Sequence, residues 1–140
     1  MRCEDEHDIE ALVRRFAVLN DAGDFESLAA LFTDDAVFVR PSAPDRPVRG
    51  RAAILEQFLS RPARNARHLL CNTLITWRGE AVAQVRSYSV LIVAQPQGGA
   101  LVSVGAFDDE VVKVGTSWLF RERRGSTAID GLALGAVPTG

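Results

Sequence analysis

The chain lacks most of the features that would mark it for a metal, a membrane or a nucleic acid. Its only cysteines, Cys3 and Cys71, are far apart and form no CxxC motif, so neither a zinc site nor a disulfide framework is predicted. No run of about 18 apolar residues occurs, which excludes a membrane-spanning helix. The formal net charge is −2. This disfavours a nucleic-acid partner, which would need a clustered basic face.

Motifs for cofactor chemistry or for a covalent nucleophile are also missing. There is no glycine-rich phosphate loop and no nucleophile elbow. The two histidines, His7 and His68, are too far apart in sequence to suggest a metal triad. We therefore expect no metal and no cofactor. The acidic N-terminus has no apolar signal segment, and free thiols suit a reducing compartment, so we expect a cytoplasmic protein.

What is present fits one domain with a sizeable core. The chain has 140 residues, 47% of them hydrophobic, and a domain of this size can bury a core with a pocket inside it. In the first half, apolar residues recur at helical spacing. Helices are predicted over residues 8–20, with Asp8 as N-cap, after Asp24, and after Gly50. A strand over residues 36–40 separates the second helix from the third.

In the second half the hydrophobic period changes to two. Long strands are predicted over residues 66–78, 81–94, 101–114 and 117–124, joined by consecutive tight turns, which indicates an antiparallel sheet. Long strands twist and coil, so this sheet should enclose space on its concave side. Helices separated from such a sheet indicate the α+β class. We take residues 1–124 as a single domain and residues 125–140 as a Gly/Ala-rich tail, either disordered or lying across another surface.

Four segments carry a family resemblance. They read FAVLNDAGDFESLAALFTDDAVF (16–38), VRGRAAI (48–54), Arg67-His68 with Asn72, and WLFRERR (118–124). They resemble the NTF2-like superfamily, and most closely its SnoaL-like branch. The resemblance implies an NTF2-like cone, with three N-terminal helices packed in the concave face of a strongly curved, mostly antiparallel sheet. It also implies a pocket for a small hydrophobic molecule and a homodimer formed through the sheets.

The resemblance also suggests a catalytic pair. In scytalone dehydratase-like members, an Asp at the end of the first helix lies close to a His on the first long strand, and Asp21 and His68 match these positions. A histidine exchanges protons near neutral pH, because its unperturbed pKa is about 6.5. Alternation along the strand places Asn72 on the face of His68, where it would bind a substrate oxygen. This set suits a lyase, isomerase or cyclase acting on a hydrophobic carbonyl or polyphenol compound.

Other interpretations of the same residues stay open. Asp21 is in a turn sequence and can satisfy local backbone groups, and His68 can be a buried core histidine. Asn20 stands where scytalone dehydratase has a tyrosine, and the second histidine of that enzyme has no match. The alternative function is therefore a non-catalytic binding protein, or a subunit resembling the β chain of ring-hydroxylating dioxygenases.

Four more residues are candidates for contact with the substrate. Phe16 and Arg40 stand where ketosteroid isomerase has a catalytic tyrosine and a catalytic aspartate, so the isomerase constellation is absent. Arg40 near the pocket rim can bind an anion or remain a solvated surface residue. Tyr88, together with Arg86, faces either the pocket or a dimer interface. Asp109 shares a strand face with Phe107, on a side that the pattern leaves undecided.

The charges of the last strand are predicted to alternate on its exposed surface. They comprise Arg121, Glu122, Arg123 and Arg124. Alternation places Trp118 and Phe120 on the face of Glu122.

Overall fold

The computed structural model describes residues Arg2–Gly135, which form three helices and six strands. The helices are α1 (Arg2–Ala22), α2 (Phe25–Ala29) and α3 (Arg51–Leu59). The strands are β1 (Phe32–Val39), β2 (Val48–Arg49), β3 (Ala66–Trp77), β4 (Val82–Ala94), β5 (Ala100–Val114) and β6 (Ser117–Leu134). They form one sheet in the order β2-β1-β6-β5-β4-β3. Within the described residues, β1 and β6 are the only neighbouring strands that run parallel. The predicted α+β class and the mostly antiparallel sheet are confirmed.

The start of the first helix differs from the prediction, because tertiary contacts extend α1 past Asp8 to Arg2. Asp5 accepts hydrogen bonds from Lys113 Nζ and from Trp118 Nε1, both at 2.9 Å. These bonds hold two further helical turns against β5 and β6. The predicted cap of α2 is present, since Asp24 Oδ1 accepts from Ser27 N at 3.3 Å. No helix within Arg2–Gly135 is long and apolar enough to cross a membrane.

Phe16 of α1 lies at the centre of the core. Five other rings surround it at centroid distances of 5.8 to 6.1 Å, mostly edge-to-face, and they come from α3 and from three strands: Phe32, Phe38, Phe58, Phe107 and Phe120. Aromatic pairs in this arrangement stabilise a core beyond the area they bury. The cluster attaches the helices to the concave side of the sheet.

The last strand is longer than predicted. β6 does not end at Arg124 but continues to Leu134, pairing with β5 as far as Ala100. The small residues of this segment give a weak strand signal, and β5 supplies the missing hydrogen-bond partners. Residues 125–134 are therefore sheet. The rest of the predicted tail, residues 136–140, lies outside the described residues.

The sheet bends sharply where β5 and β6 approach each other. A Cβ atom on Gly105 would lie 1.9 Å from the carbonyl oxygen of Ser126, so only glycine fits there. The pairing register also shifts between Val104 and Gly105. Such irregularities increase strand twist and bending, and they leave a concave surface behind the helices.

A β-bulge in β3 overturns the predicted position of Asn72. The pairing with β4 shifts between Cys71 and Leu74, and Asn72 adopts a left-handed backbone conformation with φ 55°. One extra residue reverses the alternation beyond it. Asn72 is therefore exposed, while Thr73 and Ile75 continue the inward face. The prediction that Asn72 shares the face of His68 is wrong.

A second bulge changes the last strand. Phe120 pairs with Val111 and Glu122 with Glu110, which makes Arg121 the extra residue. The inward face therefore passes from Phe120 to Arg123 instead of Glu122. The Arg123 side chain has no exposed surface, so its predicted exposure is wrong.

Candidate functional site

A cavity of about 540 Å³ lies between the helices and the concave face of the sheet. Its volume is within the range usual for small-molecule sites. Its walls combine apolar side chains, five hydroxyl groups and five charged or titratable side chains. The apolar residues include Phe16, Phe38, Leu91, Val104, Ala106 and Phe107. The hydroxyls belong to Ser42, Ser89, Ser103, Ser126 and Thr127. The charged or titratable residues are Arg40, Arg61, Arg64, His68 and Asp130.

A second cavity of about 320 Å³ adjoins the first. The two share Asn20, Arg61, Arg64 and His68 in their walls. Asp21 lines only the second cavity of those found in the described residues. His68 therefore borders both cavities, and its partner Asp21 borders the second.

Asp21 and His68 form a close pair across 47 residues of sequence. The end of α1 supplies Asp21, and the beginning of β3 supplies His68. Asp21 Oδ1 lies 2.6 Å from His68 Nδ1, and Oδ2 accepts from the His68 backbone nitrogen at 3.0 Å. One carboxylate thus orients both the ring and the strand that carries it. Only 10% of the His68 side chain and 12% of the Asp21 side chain are exposed.

This contact determines which ring nitrogen is available. A carboxylate only accepts hydrogen bonds, so in the neutral ring Nδ1 carries the proton and Nε2 has a free lone pair. No group within Arg2–Gly135 makes a hydrogen bond to Nε2. A molecule in the cavity that His68 lines can therefore exchange a proton with Nε2.

The surroundings of His68 favour its neutral form. Burial lowers its pKa below the usual 6.5, the hydrogen bond and charge of Asp21 raise it, and Arg64 and Arg61 lower it further, with a net decrease. At neutral pH the ring is therefore a free base. Asp21 stabilises the imidazolium that forms when the ring accepts a proton.

Two other predicted residues line the larger cavity. Phe16 contributes its ring to the wall while remaining the centre of the core. Arg40 follows β1 and lies at the same cavity. When the Gln57 side-chain amide has its oxygen towards Arg40, that oxygen accepts hydrogen bonds from Arg40 Nε at 3.3 Å and from Nη1 at 3.0 Å.

Three predicted residues do not line either cavity. Asn72 is exposed on the β3 bulge, as described above. Tyr88 lies on the outer face of the sheet beside Arg86, which is paired with Asp108 at 2.6 Å, so its assignment to the pocket is wrong. Asp109 shares the inward face with Phe107, but it lies behind the wall of the cavity.

Asp109 forms a sealed ion pair with Arg123. Arg123 Nη1 donates to Asp109 Oδ2 at 3.0 Å, and neither side chain has exposed surface. The rings of Phe107, Phe16 and Phe120 lie 3.8, 4.3 and 4.6 Å from the guanidinium carbon. Burial raises the pKa of Asp109 to about 7, although the charge of Arg123 opposes this. The burial of Arg123 follows from the Arg121 bulge, which no local sequence signal announces.

Sequence reasoning missed two arginines of the cavity, Arg61 and Arg64. They lie in the RPAR segment (61–64) that connects α3 to β3, just before His68. Two cations three residues apart beside a proline were a usable signal of a charged loop. Nothing local indicated that this loop would form a wall of the pocket.

Metal ligands are not assembled in this part of the chain. Within Arg2–Gly135, no three His, Cys, Asp or Glu side chains come together as a metal site requires. The candidate site therefore consists of an acid–base pair, an apolar wall and several arginines.

The fold and site can now be compared with known proteins. The SnoaL-like domain matches residues 1–124. The chain belongs to the SnoaL-like family. Together with its cavity, this makes it a small-molecule-binding SnoaL-like protein.

Solved structures agree with this assignment. A candidate scytalone dehydratase from Novosphingobium aromaticivorans is 26% identical, with TM-score 0.82 over 99% of this chain and 95% of the other. An NTF2-like protein with a cystatin-like fold from the same species is 23% identical, with TM-score 0.76 over 89% and 82%. A Catenulispora acidiphila protein in complex with S-DNPA is 24% identical, with TM-score 0.77 over 89% and 94%. The last two show the fold alone, and the predicted NTF2-like cone is confirmed. A comparison with curated proteins gives no match.

Proposed function

We propose that this SnoaL-like protein is a cofactor-independent lyase, isomerase or cyclase that acts on a hydrophobic carbonyl or polyphenol compound of the polyketide type. One observation carries the proposal. A buried carboxylate holds Nδ1 of a neutral histidine and leaves Nε2 without a hydrogen-bond partner within Arg2–Gly135, in a residue that lines a cavity with both apolar and polar walls. General acid–base catalysis needs this arrangement.

The proposed reaction begins with proton abstraction next to the carbonyl. His68 Nε2 accepts the proton from the carbon, and the electrons of the broken C–H bond form an enolate. Asp21 stabilises the resulting imidazolium. The imidazolium then returns the proton to a leaving hydroxyl, which departs as water, or to another carbon, which moves the double bond. No oxidant or reductant is needed.

The similarity to a candidate scytalone dehydratase supports the dehydration form of this reaction. Leu91 and Val104, which are partly exposed in the wall, provide apolar contacts for a ring system, together with the edges of nearly buried phenylalanine rings. The hydroxyls of Ser89 and Thr127 lie in the same wall and can bind substrate oxygens. They take over the role that the sequence pattern assigned to Asn72.

The probe for this activity is 3-hydroxy-1-tetralone, which loses water and tautomerises to fluorescent 1-naphthol. We expect His68→Asn to lower turnover by a factor on the order of 10² to 10⁴. His7→Asn is the matched control, because His7 is exposed on α1 and lines neither cavity found in the described residues. Equal turnover by the wild type and His68→Asn would overturn the catalytic assignment.

A specific observation supports a second candidate, a non-catalytic binding protein or a subunit resembling the dioxygenase β chain. His7 does not reach the cavity, so within Arg2–Gly135 His68 is its single histidine. Binding of 1-naphthol with no turnover of the tetralone, by a chain that co-purifies with a larger subunit, would favour this candidate.

We also propose a homodimer formed through the outer face of the sheet. Neighbouring residues of β3 and β4 expose large side chains there: Leu69 is 53%, Leu74 68% and Tyr88 47% exposed. Tyr88→Glu should convert the dimer to a monomer in sedimentation velocity, whereas Val18→Glu on an exposed part of α1 should not.

Cys71, paired with Tyr88 in register, is a free thiol, which fits the cytoplasmic location we propose.

A further inference from the structure

Three arginines converge on the larger cavity from two separate segments. Arg40 follows β1, while Arg61 and Arg64 lie between α3 and β3. Arg61 and Arg64 also line the second cavity. This positive cluster is unexpected in a chain whose formal net charge is −2.

None of the three arginines forms an ion pair with a carboxylate within Arg2–Gly135. Arg61 Nη2 donates to Asn20 Oδ1 over 3.5 Å, which is long for a hydrogen bond. The Arg61 guanidinium lies 4.8 Å from the Phe58 ring centre. Arg40 has the neutral Gln57 amide as its partner. Arginines elsewhere on the sheet do have acidic partners, as in the pairs formed by Arg86, Arg121, Arg123 and Arg124. Within the described residues, Arg67 of β3 likewise bonds only a backbone carbonyl, so what distinguishes the three arginines is their shared position at the cavity.

The nearby carboxylates are already engaged. Among the described residues, Asp130 is the one acid in the wall of the larger cavity. Its Oδ1 accepts from Ser103 Oγ at 2.6 Å and from Gly131 N at 2.8 Å. Asp21 is bound to His68. Neither acid forms an ion pair with Arg40, Arg61 or Arg64.

The arginines also repel one another. Burial, followed by the charges of Arg64 and Arg40, lowers the pKa of Arg61 to about 10. The charges of Arg64 and Arg61 lower the pKa of His68 in the same way. An anion bound among them would relieve this repulsion.

We propose that the cavity binds a ring compound that carries a carboxylate. The rings pack on the apolar part of the wall, which includes the partly exposed Leu91 and Val104. The carboxylate binds Arg61 and Arg64, with Arg40 at the same wall. Planar guanidinium groups match carboxylates with paired hydrogen bonds. This inference rests on the proposed binding of small molecules in the same cavity and names their class.

The test compares matched ligands that differ only in charge. Three pairs are titrated by calorimetry: 2-naphthoate with 2-naphthamide, anthracene-2-carboxylate with its amide, and 4-phenylbenzoate with its amide. Each carboxylate should bind at least about tenfold more tightly than its amide at about 50 mM salt, with the difference reduced at about 300 mM. Equal binding within the pairs, or no binding of any compound, would overturn the proposal.

The arginines are then replaced. Arg61→Gln with Arg64→Gln should weaken binding of the carboxylates at least about tenfold and change binding of the amides less than twofold. Arg78→Gln, in the exposed β3–β4 turn, is the control and should change neither. Asp130→Asn should tighten carboxylate binding, because it removes the repelling charge. Circular dichroism establishes that each variant is folded. Carboxylate preference that survives the double replacement would overturn the arginine assignment.

The failure of this inference can be distinguished from failure of the proposed function. If amides and carboxylates bind equally well, the cavity takes small molecules and only the anion site is wrong. If the carboxylate preference is present and His68→Asn leaves turnover of the tetralone unchanged, the anion site is correct and the catalytic assignment is wrong.

Discussion

The molecule contains two buried pairs of an aspartate and a basic side chain, and they differ in what surrounds them. Asp21 and His68 lie at the cavity wall with 12% and 10% of their side chains exposed. Asp109 and Arg123 lie behind that wall with none. In the first pair, His68 Nδ1 is bound to Asp21, and Nε2 stays available for a ligand. The second is closed by three phenylalanine rings.

The sealed pair is incompletely hydrogen-bonded. Asp109 Oδ1, Arg123 Nε and Arg123 Nη2 have no hydrogen-bond partner. A buried ion pair must overcome the desolvation of both charges, which is often possible only with such additional bonds. The comparison teaches that two things separate a pair able to act on a ligand from a pair confined to the core: a histidine that exchanges protons near neutral pH, and access to the cavity.

The largest expected effect comes from breaking the sealed pair. Arg123→Met should lower the free energy of unfolding by about 3 to 5 kcal/mol, because Asp109 is left buried without its partner. Adding Asp109→Leu should restore most of the loss, since apolar pairs of similar volume can replace buried ion pairs. Urea unfolding of both variants measures this. A loss below about 1 kcal/mol in Arg123→Met would show that the pair is not sealed.

Breaking the open pair should mainly affect chemistry. Asp21→Asn should lower turnover of the tetralone on the order of 10²-fold, because the imidazolium loses its negative partner. The pKa of His68 should fall further, because the interactions with Asp21 raise it. Turnover and NMR titration of the ring measure the two effects. An unchanged pKa would contradict the orientation of the pair.

The two pairs should give opposite pH dependences of stability. The folded pKa of Asp109 is raised from 3.8 to about 7. The unfolded chain therefore releases this proton first as pH rises, and stability from Asp109 is lost between about pH 4 and 7. The folded pKa of His68 is lowered from 6.5. The unfolded chain therefore takes up this proton first as pH falls, and stability from His68 is lost below about pH 6.5.

Variants separate these contributions. The unfolding free energy of the wild type minus that of Asp109→Asn should fall as pH rises from about 4 to 7, by about 3 kcal/mol. The unfolding free energy of the wild type minus that of His68→Asn should instead rise as the pH increases towards 6.5. Urea unfolding at several pH values provides both differences. Slopes of the same sign would contradict the pKa directions assigned to the pairs.

The smallest effect is expected at Asn72, outside both pairs. Asn72→Gly should change stability by no more than about 0.5 kcal/mol and leave turnover unchanged, because glycine adopts positive φ freely. Asn72→Val should cost about 1 to 2 kcal/mol at the same backbone conformation. A large loss of turnover in Asn72→Gly would return this side chain to the site.

Local patterns in the sequence were sufficient for the class of fold. Apolar spacing located the helices, Asp24 marked the start of α2, and the change to period two located the long strands. These signals act between near neighbours in the chain, so they can be recognised without a structure. The proximity of Asp21 and His68 came from the family resemblance, because no local pattern joins residues 47 positions apart.

Only the tertiary structure decided which side chains face the cavity. Strand alternation has a period of two, so one extra residue at Asn72 or Arg121 reverses everything beyond it. That reversal exposed Asn72 and buried Arg123. The convergence of Arg40, Arg61 and Arg64 likewise depends on how two separate connections meet at the open side of the sheet. The sequence by itself determined the elements and their approximate order of packing. Register and long-range contacts, which depend on the whole chain at once, determined the site.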